Sequence, residues 1–185
     1  MKTKTIITLF LSIFFTTAII GQTGIVIDRG GKTYKTVKIA GIEWMTENLA
    51  YKPSVGLYWT LNDDESNLKT YGYLYNWETA QSVCPFGWRL PEKKDFQTLL
   101  DSLGWTPSKQ FEALIVGGIS GYEALFGGWR HLEGDFRNAG QNSLWWTSGE
   151  FDEGNAWALG MSKNRRGAIL GYHHKQNGFY VRCVK

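Results

Sequence analysis

The sequence predicts an α+β domain in which two helices from the middle of the chain pack on short antiparallel strands from both ends. Residues 32–39 alternate polar and apolar side chains between glycine-containing turns, which is typical of a β-hairpin. Apolar residues recur at three- and four-residue spacing from Phe96 to Leu103, ahead of Gly104, which indicates an amphipathic helix. After residue 126, short apolar runs separated by Gly or Asn indicate further strands joined by long loops.

Residues 1–21 have the pattern of a secretory signal peptide. Lys2 and Lys4 give a positive start, residues 6–20 are almost wholly apolar or small, and Gly21 is a small residue at the predicted cleavage point. The apolar run is shorter than the roughly 20 residues that a membrane-spanning helix needs. A retained N-terminal anchor is the alternative. We expect residues 22–185 to form a single exported domain without a membrane span, in the periplasm, on the outer cell surface or in the medium.

The next part of the chain is predicted to form strands, then a loop, then a helix. The predicted strands are 24–28, 32–39 and 42–45. Residues 50–69 are predicted to be a solvated loop, because Pro53, Gly56 and a polar, acidic run break any period, and the spacing of a calcium-binding loop is absent. Leu74, Trp77 and Ala80 lie three residues apart and predict a helix of about ten residues that leads into Cys84.

The second helix is predicted over 92–103, and strands follow it. Pro91 and Glu92 are placed in the first turn of this helix, where the missing N–H of proline is harmless and an acidic side chain interacts well with the helix dipole. The strands predicted after it are 126–130, 134–136, 144–148, 156–159, 168–170 and 178–184. With strands at both ends, the two ends of the mature chain can pair.

The chain has two cysteines, Cys84 and Cys183. In an oxidising compartment two such residues usually form a disulfide bond. That bond would join the end of the first helix to the last strand. Two free buried thiols are the alternative, and a catalytic thiol is not favoured because neither cysteine has a neighbouring His.

Composition argues against a nucleic-acid partner. The formal net charge is +3, from 20 basic and 17 acidic residues, and removal of Lys2 and Lys4 leaves 18 against 17. The one short basic cluster, 163–166, is interpreted as a solvated turn. The sequence also contains 22 Gly and nine Trp, which is typical of many tight turns with large rings between them.

Signatures of catalysis are weak. His173 and His174 are adjacent, so on a strand they would point to opposite faces and could not hold one metal together. Acidic residues at 135 and 150–153 supply carboxylates of the kind that glycoside hydrolysis requires, and they keep an enzyme as an alternative. We predict no catalytic residue, no metal and no cofactor.

Binding is the favoured function, because a glycine-rich second half that is rich in Trp offers flat rings next to polar groups. The ligand would be a glycan or a protein. An enzyme or a purely structural envelope protein is the alternative, and the Trp residues can equally pack the core. The candidate ligand-binding residues are Trp129, Arg130, Asp135, Arg137, Asn142 and Trp157.

The segment CPFGWRLP at 84–91 is one of seven ordered blocks that resemble the Fibrobacter succinogenes major paralogous domain family. The resemblance covers the chain from about residue 24 to its end. The other blocks lie at 32–39, 44–49, 71–77, 127–130, 145–148 and 178–184.

The resemblance implies a secreted or surface protein of bacteria with a C-type-lectin-like fold, similar also to formylglycine-generating enzymes. It also implies a bond between Cys84 and Cys183. The tripeptides with which sugar-binding C-type lectins hold calcium are absent. Formylglycine-generating enzymes need a copper-binding cysteine pair, whereas both cysteines of this chain are expected to form the structural disulfide bond. The resemblance therefore implies the scaffold without either site.

Overall fold

The structure, a computed structural model, describes residues 23–185, so the predicted signal peptide lies outside the described residues. The strands are β1 (Thr23–Ile27), β2 (Thr33–Ile39), β3 (Ile42–Met45), β4 (Tyr58–Trp59), β5 (Leu74–Tyr75), β6 (Trp129–Arg130), β7 (Phe136–Arg137), β8 (Asn142–Glu150), β9 (Asn155–Ser162) and β10 (Gly167–His174). The helices are α1 (Leu68–Tyr71), α2 (Trp77–Ala80), α3 (Lys93–Leu103) and α4 (Pro107–Leu114), with 3-10 turns at Leu61–Asp63 and Glu65–Asn67. The fold is α+β, as predicted, and its antiparallel sheets are small and open.

The C-terminal segment pairs with the edge of the N-terminal sheet. Strands β1, β2 and β3 form one antiparallel sheet, and β2 buries residues on both faces: Tyr34 and Thr36 on one face, Val37 and Ile39 on the other. The C-terminal residues run along β3: Glu43 N donates to Lys185 O at 3.0 Å, and Met45 N donates to Cys183 O at 3.1 Å. The predicted pairing is confirmed between the C-terminal segment and β3, but 178–184 makes only isolated bridges instead of the predicted strand.

The disulfide bond between Cys84 and Cys183 is present, with the two Cα atoms 5.8 Å apart. It joins residues separated by 99 positions in the sequence. Cys183 is fully buried and Cys84 nearly so. The bond therefore connects the segment after α2 to the C-terminal segment that runs along β3.

The second three-stranded sheet has the order β10-β9-β8. In its register Gly160 lies opposite both Leu144 and Ile169, so these three residues share one face. Because successive residues of a strand point to opposite faces, Trp145 and Leu159 lie on the other face. There they join the core formed with the buried side chains of α3 and α4.

The first predicted helix is wrong in length. Helix α2 covers only Trp77–Ala80, because Leu74 and Tyr75 form β5 instead and pair with β4. Tyr75 also exchanges backbone hydrogen bonds with Phe179. The three-residue spacing of the apolar side chains comes from a short strand followed by one helical turn, both facing the core.

The second helix is confirmed, with a shift at its start. Helix α3 begins at Lys93, so Glu92 is the N-cap residue and Pro91 lies before the helix. Helix α4 was not predicted. Its start carries a local signal, since Thr106 accepts a hydrogen bond from Lys109 N and Pro107 occupies the first turn.

The carboxylate of Asp95 stabilises the N-terminus of α3. Asp95 is 4% exposed, accepts from Glu92 N at 2.7 Å, and pairs with the Arg89 guanidinium at 2.5 and 3.2 Å. Burial by itself would raise the pKa of the Asp95 carboxyl, but the hydrogen bonds from Arg89 and Glu92 outweigh it and hold the pKa below its usual range.

Asp95→Asn should lower the free energy of unfolding by about 1–3 kcal/mol at pH 7, since it removes a charged hydrogen-bond acceptor from a buried position. Because the folded pKa of Asp95 lies below the unfolded value of about 3.9, this contribution is present at neutral pH and is lost as the pH falls through the folded pKa. Urea unfolding at pH 7 and near pH 3 measures the difference. Asp101→Asn, at an exposed position of the same helix, is the control. An Asp95→Asn effect of the same size at both pH values would contradict the ion pair.

Candidate functional site

A groove lies on the face of the β8–β9–β10 sheet that carries Gly160, and we call it the sheet groove. Its cavity volume is about 390 Å³. Its lining combines Trp129 of β6 with residues from all three strands of the sheet, among them Leu144, Gly160 and Ile169. Arg165, from the turn between β9 and β10, also lines it.

The groove exists because the middle of β9 carries no side chain. A Cβ atom built on Gly160 would lie 3.8 Å from Ile169 O and 3.9 Å from Leu144 Cδ2, which are ordinary contact distances. A methyl group therefore fits, whereas a longer side chain would extend into the groove. The β6–β7 hairpin borders this space through Trp129.

The polar groups of the groove are largely uncharged. Among the described residues, the side-chain amides of Asn138 and Asn142 form no hydrogen bond with the protein, so each offers a donor and an acceptor to a ligand. Burial lowers the pKa of His173, which favours the neutral imidazole at neutral pH. Arg165 is the charged residue of the lining, and no Asp or Glu is among the described residues that form it.

Two of the six predicted binding residues, Trp129 and Asn142, line the sheet groove. Arg130, Asp135 and Arg137 lie on the same hairpin but outside the lining. The Arg130 guanidinium lies over the Trp59 ring, 4.2 Å from its centroid. Arg137 Nε donates to Asp135 Oδ2 at 2.5 Å, and this hydrogen bond lowers the pKa of the Asp135 carboxyl.

Trp157, the sixth, lies on the opposite face of the sheet. It is paired with Tyr172 in the β9–β10 register and makes edge contacts with Phe151 and Tyr172, which stack on each other at 3.9 Å. The Lys93 ammonium lies 3.2 Å from the centre of the indole ring. The structure does not bring Trp157 together with Trp129 and Asn142.

Sequence reasoning missed several lining residues: Asn138, Gly160, Arg165 and His173. Gly160 lies just beyond the predicted strand 156–159, and Arg165 was assigned to a solvated turn. A strand with Gly at its centre is a signal for close approach or open space on one face. Nothing local, however, shows which face is left uncovered.

The acidic hairpin beside the groove is an ion-pair cluster. Ligand atoms of His131, Glu133 and Asp135 lie within 4.8 Å of one another. Arg137 pairs with both carboxylates, at 3.7 Å from Glu133 and 2.5 Å from Asp135. The guanidinium thus already supplies a positive charge to this cluster.

Comparison with known protein families gives a match to part of the described chain. Residues 37–118 match the model of the Fibrobacter succinogenes major domain. No curated protein and no solved structure matches the chain. Within residues 23–185, none of the helices has the length and apolar character needed to cross a bilayer.

Proposed function

We propose, for a chain that belongs through residues 37–118 to the Fibrobacter succinogenes major domain family, a non-enzymatic binding function outside the cytoplasm. The family name states no activity, so the proposal depends on the geometry of the sheet groove. The ligand that fits best is a carbohydrate. Export is supported by the signal-peptide pattern of 1–21 and by a disulfide bond, which persists in oxidising compartments.

One observation carries the proposal: an indole, an apolar floor and two free amides line one cavity of about 390 Å³. Pockets of this size with a few placed polar groups are typical of small-ligand sites. A sugar presents an apolar face to an aromatic ring such as that of Trp129, and hydroxyl groups to amides such as those of Asn138 and Asn142. Among residues 23–185, the groove lining contains no carboxylate pair of the kind that glycoside hydrolysis requires.

A C-type-lectin-like fold is part of the same proposal. Its support is the C-terminal segment, which runs along β3 at the edge of the N-terminal sheet, and the bond that joins Cys84 to this segment. The long loops predicted for the second half are wrong for β6 to β10, because the connections between these strands have four or five residues each.

Gly160→Leu should weaken carbohydrate binding by roughly tenfold or more, equivalent to about 1.4 kcal/mol or more, because the new side chain would occupy the sheet groove. Gly160→Ala is the matched control, since its Cβ meets its neighbours at ordinary contact distances. A glycan array probed with the wild-type protein, with and without calcium, identifies the sugar. Titration calorimetry with both variants then measures the affinities.

Two results would overturn the proposal. Silence of the wild-type protein across the glycan array would remove carbohydrate as the ligand class. A folded Gly160→Leu variant that binds a glycan as tightly as the Ala variant would place binding elsewhere on the molecule. Thermal unfolding of both variants establishes that they are folded.

A further inference from the structure

A second cavity, of about 480 Å³, lies between the end of α4, the 124–126 segment and the turn that joins β9 to β10. We call it the aromatic cavity. Its lining includes Phe111, Phe126 and Tyr71, and the two Phe rings lie 5.7 Å apart between centroids. Ile115 and Leu125 add aliphatic surface. The interior is therefore suited to a hydrocarbon or an aromatic ring.

Two cations belong to the lining of this cavity. The Lys163 ammonium lies 4.9 Å from the centre of the Phe126 ring, and the Arg166 guanidinium carbon lies 5.9 Å from the centre of the Phe111 ring. Both side chains are exposed to solvent. No acidic residue of the described chain is part of the lining.

The two cations differ in how far they are already neutralised. Arg166 pairs with Glu112 on α4 at 2.5 Å. Within residues 23–185, Lys163 forms no ion pair, and its ammonium group donates no hydrogen bond to the protein. A positive charge without a counterion thus lies next to the ring of Phe126, at a cavity whose interior is apolar.

Different residues of the β9–β10 turn line the two cavities. Arg165 lines the sheet groove, whereas Lys163 and Arg166 line the aromatic cavity. The basic cluster 163–166, which sequence analysis interpreted as a solvated turn, therefore contributes charge to two separate sites.

We infer that the aromatic cavity binds a soluble organic acid with an apolar body, such as a medium-chain carboxylate. The hydrocarbon would contact Phe111 and Phe126, because transfer of a hydrocarbon from water to an apolar surface is favourable. The carboxylate would accept charge-assisted hydrogen bonds from Lys163 and Arg166. This ligand class is complementary to both the lining and the charge of the cavity, and the inference does not depend on carbohydrate binding in the sheet groove.

Titration calorimetry with decanoate, below its micelle concentration, tests the inference, and 1-decanol is the uncharged comparison. Wild-type protein should bind decanoate at one site. It should bind 1-decanol at least roughly tenfold more weakly, because the alcohol lacks the negative charge that the two cations attract. Added salt should weaken the binding of decanoate and leave that of 1-decanol unchanged.

Three variants assign the site. Lys163→Gln should weaken decanoate binding by roughly fivefold or more. Glu112→Gln should tighten it, since it leaves the Arg166 guanidinium free for the ligand. Lys52→Gln, at an exposed position outside the cavity, should have no effect. All three changes are at exposed side chains, and thermal unfolding checks that each variant is folded.

The inference is overturned if 1-decanol binds as tightly as decanoate, if Lys163→Gln retains wild-type affinity, or if Glu112→Gln weakens binding. It is also overturned if Gly160→Leu abolishes decanoate binding, because the ligand would then lie in the sheet groove. Binding to vesicles that contain phosphatidylglycerol, without binding of free decanoate, would identify a membrane contact in place of a soluble acid and would likewise overturn it.

Discussion

Replacing both Cys84 and Cys183 by Ala should lower the free energy of unfolding by about 2–5 kcal/mol. The bond closes a loop between residues 99 positions apart. Without it, the unfolded chain gains conformational freedom, and a loop of this size corresponds to about 4.7 kcal/mol in the chain-entropy description. This loss is a substantial fraction of the free energy of unfolding of a typical domain, about 5–15 kcal/mol.

Urea unfolding of the oxidised wild type, the reduced wild type and the double Ala variant measures this effect. The reduced wild type is the matched control, because it lacks the bond but keeps both sulfur atoms in the core. The two proteins without the bond should unfold at similar, lower urea concentrations. If reduction leaves the midpoint of the oxidised protein unchanged, the bond does not stabilise the fold.

Asn48→Ala should lower the free energy of unfolding by about 3–5 kcal/mol, since it leaves several buried polar groups without partners. Asn48 Oδ1 accepts from Trp145 Nε1 at 2.8 Å and from Arg182 Nε at 3.0 Å. Its Nδ2 donates to Tyr71 O at 2.8 Å. Trp145 and Arg182 are fully buried, so water cannot replace the lost partner.

The charge of Arg182 increases the cost. Burial lowers the pKa of the Arg182 guanidinium, and the group is held by backbone oxygens, those of Tyr122 and Glu123, in addition to Asn48. These hydrogen bonds connect the C-terminal segment to the 122–123 loop. Loss of Asn48 should therefore also loosen this loop.

Asn48→Asp is the informative comparison for this site. It keeps the oxygen that accepts from Trp145 and Arg182 and adds a negative charge beside a buried cation, but it replaces the donor to Tyr71 O by an oxygen that repels this carbonyl. The Asp variant should be clearly more stable than the Ala variant in urea unfolding at pH 7. Equal stability of the two variants would show that the hydrogen bonds to Trp145 and Arg182 contribute little.

The local sequence pattern predicted the elements whose apolar side chains recur at a regular spacing. The stripe in α3 needs a single side of the helix to be apolar, so spacing alone identifies it. The alternation of polar and apolar residues identified β2 as a strand, although the strand buries residues on both faces. The disulfide bond followed from the number of cysteines and the predicted compartment. Helix α4 was missed because its apolar residues run on into the following loop, although Thr106 and Pro107 marked its start.

The candidate site was predicted only in part. Trp129 and Asn142 were selected for their chemistry, and both line the sheet groove. Trp157 was selected for the same reason but lies on the other face. It is three residues from Gly160 on one strand, and an odd separation places two residues on opposite faces. Which face remained open could not be known before the neighbouring strands and the β6–β7 hairpin were placed.

The sequence by itself determined the α+β fold class, the pairing of the C-terminal segment with an N-terminal strand and the cysteine bond, because these depend on periodicity, chain order and residue type. Only the tertiary structure decided where ligands can fit. A cavity is space that several distant segments leave between them, as β6, β8, β9 and β10 do at the sheet groove, and as α4 and the β9–β10 turn do at the aromatic cavity. No single segment carries a signal for such space, since its volume depends on how all of them pack.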